Sequence, residues 1–67
     1  MLKNNLSKIM GEQRLKIYEL EKLSGVSRST LTRLYYNRAN AINFNTLENL
    51  CKALECTPND ILEYLPE

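Results

Sequence analysis

Sixty-seven residues, 43% hydrophobic and 25% charged, read as one domain over 1–67, too apolar for a disordered chain and near the lower size limit for folding without disulfides or metal. The formal net charge is only +1, so the total shows no pull toward nucleic acid or a membrane surface. No apolar run approaches the roughly 18–20 residues of a membrane span, and no signal-peptide core stands at the N-terminus, so the chain reads as cytoplasmic with no membrane partner.

Helical spacing recurs from end to end, and no alternating stretch is long enough to predict a sheet. Leu2, Leu6, Ile9 and Met10 predict a first helix ending near Gly11. Ile17, Leu20 and Leu23 predict a short second helix, stopped by Gly25. Ser27 is an N-cap for a third helix, and Val26 and Leu31 stand in the N′/N4 relation of a hydrophobic staple. Leu31, Leu34 and Tyr35 form that helix's inner face, and Asn37, tolerant of the left-handed conformation, stops it.

Residues 38–45 form a polar connection that Ile42 and Phe44 are expected to anchor to the core. Asn45, with Glu48 three residues on, predicts the capped start of a fourth helix whose core face is Leu47, Leu50, Cys51 and Leu54. Thr57-Pro58-Asn59-Asp60 is a start signal for a last helix carried by Ile61, Leu62 and Leu65 as far as Pro66. The fold class expected is all-α, a compact five-helix bundle.

The charge divides unevenly along the chain. Residues 1–38 hold eight Lys/Arg and three acids, whereas residues 39–67 hold one Lys and five acids. A nearly neutral molecule can therefore present a basic face. Cys51 and Cys56 are the only cysteines and there is no histidine, which leaves too few ligands for a zinc site. Both read as reduced, buried small hydrophobes, set five residues apart on different sides of a helix. The missing inventory of histidine, glycine-rich phosphate loop and nucleophile–base pair predicts no enzyme, no catalytic residues and no cofactor.

With Leu31, Leu34 and Tyr35 inward, a 100° advance per residue turns Ser29, Thr32, Arg33 and Tyr36 outward, with Arg28 at the edge. That face carries guanidinium, hydroxyl and aromatic groups and no carboxylate. Alone it would be an ordinary solvated face. Behind a short helix and a glycine turn it has the build of a reader of the DNA major groove, where Arg donates in pairs to guanine and hydroxyls serve several bases.

Glu19-Leu20, followed by Ser24-Gly25-Val26-Ser27-Arg28-Ser29-Thr30-Leu31, resembles the helix-turn-helix (about residues 17–36) of the phage repressor/Cro-like, XRE-type regulators. The stretch from Phe44 to Leu62 resembles the fourth and fifth helices of the same family, so the likeness covers essentially the whole chain. It implies a lambda-repressor-like fold, double-stranded DNA as partner, and a transcriptional regulator of repressor type whose third helix enters the major groove. It implies Arg28, Ser29, Thr32 and Arg33 as base contacts. Lys16, Ile17 (through its backbone), Ser27, Tyr36, Arg38, Asn40, Asn43 and Asn45 are implied as phosphate contacts. Homodimers on palindromic sites are usual for such domains, and the Leu62, Tyr64, Leu65 region is the candidate surface, with ordinary core and tail packing as the alternative role of these residues. No small-molecule effector is evident.

The chain departs from the family pattern at three positions. Glu21 replaces a small residue after the second helix's Leu, Ile17 replaces a Gln, and Asn37 replaces a Gly. Glu21 must then direct its carboxylate outward, or the two helices must sit further apart. Glu19 and Glu21 keep open an alternative, a protein-interaction or antitoxin-like module that retains the fold with weak or no DNA binding.

Overall fold

The computed structural model describes residues 1–66. The elements in order are β1 (Leu2–Asn4), α1 (Leu6–Glu12), α2 (Ile17–Ser24), α3 (Arg28–Tyr35), α4 (Phe44–Leu54), α5 (Pro58–Ile61) and β2 (Leu62–Tyr64). The five helices surround one apolar core of Leu6, Ile9, Met10, Leu20, Val26, Leu31, Leu34, Leu50, Leu54 and Ile61. No polar or charged residue is buried among the described residues. α2 packs on α3 and α4, and α1 packs on α3 and α5. No helix of the described residues is long and apolar enough to cross a membrane.

The turn between α2 and α3 forms as its local signals direct. Gly25 takes φ 75° and closes α2, with its N–H on the Glu21 carbonyl. Ser27 Oγ caps α3 by accepting the Thr30 N–H, and Val26 and Leu31 are both buried, closing the staple. Asn37 adopts φ 58° just past α3. Its neighbour Arg38 donates its N–H to the Arg33 carbonyl, which fixes the reversal.

The two ends of the chain differ from the helical expectation. Leu2 lies in a strand and is 69% exposed, because Asn4 Oδ1 accepts the Leu6 N–H at 2.8 Å and starts α1 only there. Leu62 is likewise in a strand and Leu65 beyond it, since α5 is a single turn that stops at Ile61. The two strands pair antiparallel, with Leu2 opposite Tyr64, Lys3 opposite Glu63 and Asn4 opposite Leu62. Each end alone is too short to signal a strand; pairing with the other supplies the missing hydrogen bonds.

Three further expectations are corrected. The α4 cap is Asn43, whose Oδ1 accepts the Thr46 N–H at 2.7 Å, so Asn45 lies inside the first turn and Glu48 pairs with Lys52 at 3.2 Å. Phe44 is consequently the first helical residue. Side chains tilt toward a helix's N-terminus, so it projects past the core and is 89% exposed. On α2 the inward positions are Ile17, Leu20, Glu21 and Ser24, which leaves Leu23 facing out.

Cys51 and Cys56 are free and half-buried rather than fully buried. Glu55, at φ 54°, turns the chain out of α4, and Cys56 donates its N–H to the Cys51 carbonyl, so the two are not on opposite sides of one helix. Burial pushes the Cys56 thiol up to about 11, with Cys51 and Asp60 adding to the rise.

Candidate nucleic-acid interface

The outward face of α3 carries Ser29 and Arg33 exposed, Thr32 half-buried and Tyr36 exposed just past the last turn. The staple and the left-handed Gly25 hold this face at one angle to α2. An open groove runs between the N-terminal end of α2 and α3, lined by Lys16, Ile17 and Tyr18 on one side and Arg28, Thr32, Tyr35 and Tyr36 on the other. Five of the residues expected at the interface thus line a single surface. Tyr18, at the second position of α2 and exposed, belongs to it as well; its only sequence signal is an aromatic on the outer side of a short helix.

Arg33, exposed at the edge of the same outer face, borders a separate hollow shared with Thr30, Asn43 and Thr46. Arg38 stacks its guanidinium over the Tyr36 ring at 5.6 Å, and the rings of Tyr36 and Tyr35 meet edge to face at 5.0 Å. This stack gives the C-terminal end of α3 a fixed cationic corner. Asn40 is exposed and lies apart, beside β1. Asn43 uses its side-chain oxygen as the α4 cap, leaving the amide N–H₂ for a ligand.

The hydroxyls are already partly engaged. Thr32 Oγ1 donates to the Arg28 carbonyl at 2.8 Å, so toward a base it can accept but not donate. Ser27 Oγ donates to Thr30 Oγ1 at 2.9 Å, which ties its hydroxyl to the cap. At the start of α2, Glu19 Oε1 accepts the Lys16 N–H at 2.9 Å. The N–H groups of Ile17 and Tyr18 remain without helical partners, as in any first turn.

The acids near this face are accounted for. Glu19 caps α2, and Glu21 contacts Arg28 through both carboxylate oxygens, Oε1 reaching Nη2 at 3.0 Å. The Glu21 carboxylate therefore lies beside a cation at the contact between α2 and α3.

A model of the Cro/C1-type HTH DNA-binding domain matches residues 5–67. The chain belongs to that family. It is also 40% identical over 60 residues to a Bacillus subtilis protein named as an uncharacterized HTH-type transcriptional regulator, YozG, covering 90% of this chain and 71% of the relative. Membership of this family supports binding to double-stranded DNA.

Proposed function

We propose that this Cro/C1-type domain is a sequence-specific transcriptional regulator of repressor type that places α3 in the major groove. The observation that carries the reading is the outer face of α3, rigidly angled by Gly25 and Ser27 and furnished with donors for base edges. In this reading the whole of residues 1–67 acts as one DNA-binding domain. Arg28, Ser29, Thr32 and Arg33 meet bases, with Thr32 accepting from an adenine or cytosine amino group. Lys16 and the Ile17 N–H hold one phosphate at the helix end, where the dipole favours an anion. Tyr36, Arg38, Asn40, Asn43 and Asn45 hold the strand beyond α3, and Ser27 contributes chiefly as the cap. The named regulator in Bacillus subtilis, similar over most of its length, supports the regulatory role.

A homodimer on a palindrome fits the same reading. Tyr64 is 67% exposed directly opposite the exposed Leu2, an apolar pair at the edge of the molecule, whereas Leu62 and Leu65 are half-buried. Selection of bound duplexes from a random pool tests the whole proposal. An enriched palindrome with half-sites about one helical turn apart is expected, and affinity should fall linearly with the logarithm of salt concentration as counterions are released. Arg33→Ala should relax preference at one base pair by about 1–3 kcal/mol, and Arg38→Ala should weaken all duplexes alike. Equal effects of both variants on cognate and scrambled DNA would remove Arg33 from base reading. Flat, salt-independent behaviour toward every duplex would favour an interaction module instead.

A further inference from the structure

We propose that Glu21 is a positioning residue that sets which base Arg28 selects; this rests on the reading above, in which Arg28 meets a base edge. Glu21 lies on the α3-facing side of α2 with its side chain 35% exposed, against 63% for Arg28. Its Oε2 accepts the Arg28 backbone N–H at 3.1 Å. Its Oε1 accepts from Arg28 Nη2 at 3.0 Å and Nε at 3.3 Å. One carboxylate thus grips both the first backbone N–H of α3 and the head group of the same residue. The glycine turn between the helices is what brings the two residues within reach.

The grip decides what Arg28 has left to offer. A guanidinium carries five N–H donors in one plane, and here the edge formed by Nε and Nη2 is turned to Glu21. The free edge is Nη1 with the second Nη2 hydrogen, two parallel donors that match O6 and N7 of guanine. An unrestrained Arg loses rotamer entropy when it is fixed; an Arg already held by a carboxylate has lost part of it before DNA arrives.

The same contact weakens Arg28 as a phosphate ligand. The paired head group has little net charge, and a phosphate approaching it meets the Glu21 carboxylate as well. Glu21 therefore lowers affinity for arbitrary duplexes while sharpening the choice of one base. An exposed ion pair adds little to stability, so its main effect is on geometry.

Two effects of opposite sign make the test. Duplexes bound by the wild-type chain are selected, and base preference and scrambled-duplex affinity are measured for Glu21→Ala, Glu21→Gln, Arg28→Ala and the Glu21→Ala/Arg28→Ala pair, with helical circular dichroism as the fold check. Arg28→Ala should flatten a guanine preference at one base pair. Glu21→Ala should reduce that same preference about tenfold while scrambled-duplex affinity rises several-fold. Glu21→Gln, which keeps an acceptor but no charge, should reduce it about threefold, and it decides the matter if the Ala variant does not fold. The double variant should match Arg28→Ala. If folded Glu21 variants change all duplexes by one factor and leave the preference intact, the proposal is overturned, while a flattened position in Arg28→Ala leaves the base-reading role of Arg28 standing. If Arg28→Ala alters no position, or the wild-type chain selects no duplex, the reading of Arg28 falls and takes the proposal with it.

Discussion

The α2–α3 pair and the β1–β2 ribbon are built on opposite principles. Every device that shapes the helix pair lies within a few residues of what it shapes: Gly25 ends α2, Ser27 starts α3, and Val26 meets Leu31. The ribbon joins the two ends of the chain, and its strands find hydrogen-bond partners only when the rest is folded. Its main tie to the helices is Asn4, which donates through Nδ2 to the Leu34 carbonyl at 2.6 Å while its Oδ1 holds the start of α1. Locally specified geometry suits a surface that must meet base edges at a set angle. Non-local closure carries a loop entropy that must be offset by contacts made elsewhere.

Four measurements would break or sharpen this contrast. Leu31→Ala removes a fully buried side chain shared by the staple and the core, and a loss of about 2–5 kcal/mol in denaturant unfolding is expected. Asn4→Ala leaves the Leu6 N–H without its partner and removes one of the donors to the Leu34 carbonyl, which keeps the Asn37 N–H, costing about 1–3 kcal/mol; hydrogen exchange should rise in the ribbon and α1 while α2 and α3 stay protected. Exchange rising equally in α2 and α3 would show that the two regions are one cooperative unit. Gly25→Ala has room for the added carbon but forces it into a left-handed residue, at about 1–2 kcal/mol; DNA affinity should drop by more than stability does, because the angle of α3 shifts. The smallest effect lies outside both regions. The Cys56 thiol ionises near 11 in the fold against 9.0 ordinarily, so folding favours its protonated form. Its contribution is complete below about pH 9 and fades as pH climbs toward 11. Melting temperatures over that range should fall less steeply for Cys56→Ser than for the wild-type chain.

The same contrast explains what could be read beforehand. The five helices, the turn and the inner faces of α3 and α4 were visible because caps, glycine and apolar spacing act over one or two turns. Leu2 misled because it fits the helical spacing of Leu6, Ile9 and Met10, and only the Asn4 side chain, placed by the ribbon, shows where α1 begins. Asn43 and Asn45 offer the same acceptor two residues apart, and local spacing does not choose between them; the fold uses Asn43. At the interface, the residue types of the α3 face were legible, but their partners were not. Nothing in the spacing says that Thr32 turns its proton back to Arg28, or that Glu21, seven residues before Arg28, reaches across the turn to it.

Among the described residues, three of the four left-handed ones bear side chains: Arg14, Asn37 and Glu55, at φ 54–58°; the fourth is Gly25. Each side-chain-bearing one sits about 1 kcal/mol above what glycine would give there, Asn37 somewhat less. The fold thus holds unused mutational headroom at its chain reversals, and the one at Glu55 borders α1 and α5 rather than the α3 face. A change such as Glu55→Gly should raise the melting temperature, and a lineage carrying it could afterwards accept destabilising substitutions on the α3 face and drift to new DNA sites without unfolding.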